Sequence, residues 1–207
     1  EPLPSDMSET PKNTRDPRSC RFPTMIGYST GEISTSLVMN SVFAFAMLFY
    51  TEALGLPPAL AGVAMAVATL WDGITDPVMG QISDKTRSRF GRRHGWLVGG
   101  GILMAAGYLL LWVVPEPFQA SNARLFAYLL VVNLVFRTAF TVFFVPYMAL
   151  GFEICTDYDG RSRIQSIRYV FNMAANLLGP AMSWALFFGD KDGQRGTTDP
   201  GNYAAMA

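Results

Sequence analysis

The chain has 207 residues, of which 50% are hydrophobic and 15% are charged, whereas a soluble domain usually carries about a quarter charged residues. Basic and acidic residues number 16 each, so no overall field attracts nucleic acid. With one histidine, His94, and two distant cysteines, Cys20 and Cys155, we expect no histidine-based centre and no cysteine-based metal site.

The first stretch of the chain is a polar leader rich in Pro, Ser, Thr and charged residues. Such a composition predicts a disordered, solvated segment. No apolar stretch follows a short basic one near the start, so we expect no cleavable signal peptide. We assign residues 1–26 to a disordered leader and residues 27–207 to a transmembrane bundle.

Five long apolar segments follow the leader, each near the roughly 20 residues that an α-helix needs to cross a bilayer. The third segment contains no charged residue. The other four contain polar or ionisable residues, which in a membrane favour a transport pathway over a simple anchor. The predicted spans are residues 28–50, 59–80, 95–114, 124–150 and 164–188.

Positive charge is distributed unevenly among the connections between these spans. Lys and Arg are concentrated in the leader and in the loops after the second and fourth spans, whereas the loop after the first span has none. Because positively charged loops remain in the cytoplasm, we expect a multi-pass protein of the cell's inner (cytoplasmic) membrane with a cytoplasmic N-terminus. Apolar residues resume at Tyr203 after an external polar loop, so we expect this chain to be part of a longer protein.

Two carboxylates lie inside the second predicted span. Asp72 and Asp76 are four residues apart and therefore face the same side of a helix. Ionised carboxylates in hydrocarbon are costly, and two on one face also repel each other. They can persist if they are protonated, paired with a basic residue or bound to a cation; the alternative is that both lie in headgroup water near a helix end.

Two arginines lie inside later spans. Arg137 is mid-span and must face the protein interior, whereas Arg168 is about one turn from the cytoplasmic end and could snorkel to the headgroups. Either arginine could neutralise an aspartate. Several polar residues in the spans could line a cavity or make hydrogen bonds between helices; they are Asn40, Asn133, Thr138, Thr141, Asn172 and Asn176.

The loop "GQISDKTRSRFGRRHGW" after the second span is strongly basic. Basic clusters can bind nucleic acid or anionic lipid, but a tight loop between two apolar spans disfavours a nucleic-acid partner. The spacing of Gly80, Asp84 and the Gly91-Arg92-Arg93 run resembles the loop between the second and third helices of the major facilitator superfamily. That resemblance implies that Asp84 caps or pairs across helix ends and that Arg92 and Arg93 gate the cytoplasmic side.

The longer stretch "WDGITDPVMGQISDKTRSRFGRRHGW" resembles the hallmark segment of the glycoside–pentoside–hexuronide:cation symporter family, the melibiose permease type within the major facilitator superfamily. Supporting stretches, in the right order between Gly27 and Phe188, are "FYTEALGL", "VPYMALGFEICTDYDGRSR" and "SIRYVF". The resemblance implies an all-α integral membrane protein with the major facilitator fold. This chain would supply most of the N-terminal six-helix bundle, about five spans and the start of a sixth, without the C-terminal bundle.

The resemblance also implies a cation site. Asp72 and Asp76 fall on the family's cation-coordinating carboxylates, and Thr141 matches a cation-site threonine on the fourth helix. Thr75 stands where the melibiose permease has an asparagine, so an oxygen donor is kept without the amide. Oxygen ligands suit a hard cation such as Na⁺, and one carboxylate can instead carry H⁺. We expect Na⁺ or H⁺ as the coupling ion and no other cofactor.

The sugar site of the family transfers poorly to this sequence. The acidic residue on the first helix aligns with Ser36, the aspartate on the fourth helix with Phe144, and the stacking tryptophan with Met148. Arg168 matches a substrate-site position, and Glu32 keeps an acidic residue one turn before Ser36. Because both sugar-binding carboxylates are replaced, melibiose itself is not the expected substrate.

We therefore expect a cation-coupled symporter of a sugar, glycoside or uronide that works by alternating access. An enzyme is not expected, since no nucleophile–base pair or metal cluster is visible in the sequence. Two alternatives stay open: a non-transporting membrane scaffold on this fold, which retention of both aspartates disfavours, and a transporter of a lipid-like substrate, which Phe144 and Met148 would suit. The expected partners are a small-molecule substrate, membrane lipids and a missing C-terminal half or partner chain.

Overall fold

A computed structural model describes residues 21–86, 93–155, 157–189 and 196–206. These residues are almost all helical and none of them lies in a β-strand, which confirms the predicted all-α class. A π-helical turn at Phe49–Ala53 extends the first helix, and a 3₁₀ turn at Gly196–Thr198 precedes the last. The α-helices are α1 Phe22–Leu48, α2 Pro58–Lys85, α3 His94–Trp112, α4 Glu116–Gln119, α5 Asn122–Ile154, α6 Tyr158–Phe187 and α7 Pro200–Met206.

Four of the five predicted spans are helices long and apolar enough to cross a membrane. They are α1 with its π-helical turn, α2, α3 and α5. The fifth predicted span lies within α6 except for its last residue, Phe188, and the 30 residues of α6 would measure about 45 Å at 1.5 Å per residue. Length therefore suffices in α6, but arginine and asparagine side chains make this helix more polar than the others.

The first helix begins earlier than the sequence predicts. α1 starts at Phe22, inside the segment 1–26 that was assigned to the leader. Pro23 lies in the first turn, where its missing N–H removes no helical hydrogen bond, and Met25 is buried in the bundle. Residues 22–26, which were assigned to the leader, are therefore part of α1, and the domain boundary after residue 26 stays a prediction. Residues 1–20 lie outside the described part of the chain.

The long helices pack as two connected groups. α5 packs against both α2 and α3, whereas α1 packs chiefly against α6. The α3–α5 contact is close because Gly100 of α3 faces backbone atoms of Phe143 on α5, where a Cβ would lie only 2.8 Å from the Phe143 nitrogen. A second glycine on the same face of α3, Gly107, lies against Phe136 of α5. These glycines let α3 hold α5 in a defined position beside α2.

An aromatic core closes one end of the bundle. Phe49, Trp112, Phe188 and Tyr203 form four ring contacts with centroids 4.7–5.7 Å apart. Tyr203 lies in α7, which begins at Pro200, three residues before the predicted start of a further helix. The side chain of Tyr203 is fully buried and its hydroxyl donates to the Thr197 carbonyl at 2.8 Å. Aromatic packing therefore ties α7 to the ends of α1 and α3.

Candidate functional site

The two carboxylates of α2 face polar partners on α5 in matching register. Asp72 Oδ2 accepts a hydrogen bond from Arg137 Nη1 at 2.6 Å. One turn further along both helices, Asp76 Oδ1 accepts a hydrogen bond from Thr141 Oγ1 at 2.8 Å. Because the partners advance by four residues on both helices, α2 and α5 run parallel here. The structure therefore brings together Asp72, Asp76 and Thr141, three of the four predicted cation ligands.

Asp72 is neutralised by an ion pair, one of the three states that allow a carboxylate to persist in a membrane segment. The Arg137 guanidinium is 3% exposed and lies over the Phe43 ring, 5.3 Å from its centroid. Asp72 Oδ1 and Arg137 Nε are both buried without a hydrogen-bond partner among the described residues. The pair is therefore joined through one of the two Asp72 oxygens, and Arg137 faces the interior as the sequence predicts.

Asp76 and Thr75, unlike Asp72, have no arginine partner among the described residues. Asp76 is exposed on the surface of this bundle, whereas its partner Thr141 is buried. The hydroxyl of Thr75 donates to the carbonyls of its own helix, at 3.2 Å to Trp71 and 3.5 Å to Asp72. The Asp76–Thr141 pair is thus an accessible carboxylate–hydroxyl set, and the Thr75 hydroxyl bonds to the backbone of α2.

The acidic residues of the described ranges do not form the kind of cluster that holds a divalent or transition metal. Within the described ranges, no three His, Cys, Asp or Glu side chains are grouped so that they could share a metal ion. Oxygen ligands with few full charges suit a hard cation of low charge. The α2–α5 pairs can therefore serve a monovalent cation or a proton.

A separate cavity of about 770 Å³ opens between α1, α5 and α6. Four of the five predicted substrate residues line it: Glu32, Phe144, Met148 and Arg168. The fifth, Ser36, is linked to the cavity through Asn172, a lining residue whose Nδ2 donates to Ser36 Oγ at 2.8 Å. The structure therefore gathers all five predicted positions in one region, with both charged and apolar walls.

A buried ion pair forms the charged wall of this cavity. Arg168 donates through Nε to Glu32 Oε2 at 2.9 Å and through Nη2 to the same oxygen. Its Nη1 donates to Gln165 at 3.0 Å, and its Nη2 also contacts the Met148 sulfur at 2.8 Å. Both charged side chains are buried. Snorkelling, which the sequence left open for Arg168, is therefore wrong, because its guanidinium points inward to Glu32.

Two tyrosines that sequence reasoning missed support this ion pair. The Tyr28 and Tyr147 rings stack at 4.7 Å, and each hydroxyl donates to the other residue's backbone carbonyl. The Arg168 guanidinium lies 5.6 and 5.2 Å from the two ring centroids. Gly31 and Gly151 leave room for the rings, since a Cβ at either position would lie within 2.8 Å of a tyrosine atom. In the sequence, the feature that could have indicated this tyrosine pair is the glycine about one helical turn after each tyrosine.

The polar residues of the spans divide between the two roles that the sequence left open. Asn133 donates to the Tyr50 hydroxyl at 2.6 Å, and Trp71 donates to the Thr138 hydroxyl at 2.9 Å. These bonds connect neighbouring helices. Asn172 instead lines the cavity and donates to Glu32 at 3.3 Å.

An ion-pair cluster joins three helix ends at the basic loop. Arg93, before α3, donates to Asp84 near the end of α2 at 2.9 Å and to Glu153 near the end of α5 at 3.0 Å. Arg93 is buried, whereas the carboxylates are partly or largely exposed. The predicted pairing of Asp84 across helix ends is therefore present, Glu153 is a partner that sequence reasoning missed, and Arg92 lies outside the described residues.

Comparison with known proteins gives a consistent result. Residues 27–207 match a family model described as MFS/sugar transport protein. The inner membrane symporter YicJ of Escherichia coli (strain K12) is 30% identical over 161 residues, which are 78% of this chain and 34% of YicJ. The protein named uncharacterized symporter sll1374, from Synechocystis, is 32% identical over 160 residues, 76% of this chain and 29% of that protein.

A mammalian protein is also similar. The sodium-dependent lysophosphatidylcholine symporter 1 of Mus musculus is 26% identical over 181 residues, which are 86% of this chain and 33% of that protein. The chain spans about a third of the length of the curated relatives that it matches.

Proposed function

The chain belongs to the MFS/sugar transport family, and from this membership we infer that it works in a cation-coupled symporter driven by Na⁺ or H⁺. The resemblance read from the sequence is thereby confirmed, and the apolar helices agree with a multi-pass membrane protein. Members of this family move solutes, so no enzyme activity is proposed. The observation that carries the proposal is the pair of α2 carboxylates held against Arg137 and Thr141 of α5.

In this proposal the coupling cation binds at the α2–α5 pairs. Asp76 and Thr141 offer oxygen atoms, and Asp72 adds a second negative charge one turn away. A bound cation adds a positive charge beside both carboxylates and lowers the repulsion between them, which the Arg137–Asp72 ion pair already reduces. Thr75 stays a candidate for a further oxygen ligand, because a hydroxyl that donates its hydrogen to a backbone carbonyl keeps two lone pairs for a cation.

The cation site and the substrate cavity are joined by α5. This helix carries Thr141 in the cation pair and Phe144 and Met148 in the cavity wall, three and seven residues further on. A cation that shifts α5 therefore changes the cavity, and by thermodynamic linkage each ligand must alter the affinity for the other by the same factor. This connection supplies a physical route for coupling in alternating access.

The substrate that we propose first is a sugar, glycoside or uronide. Glu32 and Asn172 can exchange hydrogen bonds with sugar hydroxyls, and Arg168 can pair with the carboxylate of a uronide. The description of the matching family supports this class. Ser36 adds a small hydroxyl that accepts a hydrogen bond from Asn172.

A lipid-like amphiphile is the second candidate substrate. Phe144, Met148 and Val170 give the cavity apolar walls beside the Glu32–Arg168 pair. One relative is named as a lysophosphatidylcholine symporter. A molecule with a charged headgroup and an apolar tail would find both surfaces in one cavity.

We further propose that the N-terminus and the loop Gln81–Gly95 face the cytoplasm of a cell whose inner membrane holds the protein. The uneven distribution of Lys and Arg supports this orientation. A C-terminal half or a partner chain would supply the opposite wall of the substrate path, since the curated relatives are more than twice as long as this chain.

Uptake by the complete protein in liposomes tests the proposal. We expect accumulation of a radiolabelled sugar, uronide or lysophospholipid only under an inward Na⁺ or H⁺ gradient, and the three substrates tested separately decide the class. Asp76→Asn and Asp72→Asn should each abolish the cation-driven accumulation. Glu116→Gln, an exposed carboxylate outside both sites, is the matched control and should behave as wild type.

Two results would contradict the proposal. If both aspartate variants accumulate substrate with unaltered ion dependence, the carboxylates are structural. If the wild type moves none of the three substrates under either gradient, the non-transporting scaffold becomes the better account.

A further inference from the structure

Arg137 places a fixed positive charge inside the candidate cation site. It comes from α5, is 3% exposed, and its Nη1 lies 2.6 Å from Asp72 Oδ2. The neighbouring bond between Asp76 and Thr141 lies one turn away on the same two helices. The arginine and the hydroxyl therefore occupy equivalent positions against the two carboxylates, but only the arginine carries charge.

The charges of this region do not balance. Asp72 and Asp76 contribute two negative charges and Arg137 contributes one positive charge, which leaves one negative charge. Asp72 already has a cation bound to it, because a guanidinium is always protonated in proteins. Asp76 faces a neutral hydroxyl and is exposed. The unbalanced charge is thus located at Asp76.

We propose that Arg137 is a tethered counter-cation that occupies Asp72 and sets the charge of the coupling site, so that one monovalent cation binds at Asp76 and Thr141. This inference rests on the proposed cation-coupled function and adds a specificity-determining residue to it. Asp72 then acts by holding Arg137, and is not a direct ligand. A second cation is excluded, since the charge that would hold it is already neutralised.

The arrangement has a consequence that a two-carboxylate site does not share. Removing the charge of Asp72 alone frees the Arg137 guanidinium, which then repels the cation or turns to Asp76. Removing both charges of the pair restores the original net charge and leaves Asp76 and Thr141 untouched. The double variant should therefore recover the cation binding that the single Asp72 variant loses.

Equilibrium binding of radioactive Na⁺ to the complete, detergent-purified protein tests this inference. We expect Arg137→Gln to bind Na⁺ about tenfold more tightly than wild type or better. Loss of the guanidinium charge leaves the negative charge of Asp72 unpaired beside the bound cation. Asp72→Asn should bind about tenfold more weakly or worse, and the double variant Asp72→Asn/Arg137→Gln within about threefold of wild type. Arg137→Lys keeps the charge and should also stay within about threefold.

The inference is overturned if the double variant is as weak as Asp72→Asn, because Asp72 is then a direct ligand. It is also overturned if Arg137→Gln binds no more tightly than wild type, including the case in which neither binds Na⁺. Should Arg137→Gln fail to fold, the charge-balanced double variant and Arg137→Lys still decide the question. Size-exclusion profiles identify folded variants.

Failure of the proposed function is visible separately. Na⁺ binding requires no transport, so a wild type that moves no substrate leaves the binding comparison intact. An Asp76→Asn variant that keeps wild-type Na⁺ binding would contradict the cation site of the proposed function itself.

Discussion

Three consecutive glycines on α3 offer a test of how tightly α5 is held. A Cβ at Gly100 would lie 2.8 Å from the nitrogen and 2.9 Å from the Cα of Phe143, both of them backbone atoms that cannot rotate away. A Cβ at Gly99 meets nothing within 4 Å, and one at Gly101 lies 3.7 Å from the Phe143 ring. Alanine at these three positions therefore adds the same methyl group to three different surroundings.

The size of the effect follows from these distances. Ordinary contact begins at 3.4 Å, so Gly100→Ala must push α3 and α5 apart by about 0.6 Å, a gap that forfeits a quarter to a half of the local dispersion attraction. Overpacking of this kind costs about 1–3 kcal/mol. Alanine's helix-propensity gain over glycine, up to about 1 kcal/mol, is common to all three variants. We therefore expect Gly100→Ala to be about 1–3 kcal/mol less stable than Gly99→Ala.

Thermal unfolding of the detergent-purified protein measures this difference. The midpoint of Gly100→Ala should lie about 2–12 °C below that of Gly99→Ala, and Gly101→Ala should resemble Gly99→Ala. Because α5 carries Thr141 and Phe144, Gly100→Ala should also weaken cation-dependent uptake. Equal midpoints for Gly99→Ala and Gly100→Ala would refute the close α3–α5 approach.

Two further predictions concern the basic loop. Asp84→Ala and Arg93→Gln remove hydrogen bonds that join the ends of α2, α3 and α5. Each should therefore slow transport while leaving the Na⁺ affinity within a few-fold of wild type. A large loss of Na⁺ affinity with normal exchange rates would contradict this role. A single cysteine at Ser88, which lies outside the described residues, should react with an impermeant reagent only from the cytoplasmic side. Labelling of intact cells from outside would reverse the proposed orientation.

Much of the architecture follows from local properties of the sequence. Hydropathy over about 20 residues predicts the spans because a bilayer imposes that length on any helix that crosses it. The helical period places Asp72 and Asp76 on one face without any knowledge of the neighbouring helices. Hydropathy did not predict the first residue of α1, because many of the residues before residue 27 are polar although the helix begins at Phe22.

The partners of the charged residues could not be predicted in the same way. Arg137 and Arg168 were both open candidates for neutralising an aspartate, and a charge count does not distinguish them. The structure pairs Arg137 with Asp72 and Arg168 with Glu32, contacts that join residues 65 and 136 positions apart. Such contacts depend on which faces of two helices meet and on the register between the helices. The hydrophobic period of a single helix gives information on neither.

The sequence by itself determined a multi-span helical protein with two aspartates on one helix face, because hydropathy and helical period are properties of single segments. Only the tertiary structure decided that one aspartate faces an arginine and the other a hydroxyl, since the parallel register of α2 and α5 makes that assignment. The Tyr28–Tyr147 pair and the Arg93–Glu153 bond are likewise decided only by the tertiary structure. Each depends on packing between helices that the chain brings together only when it folds.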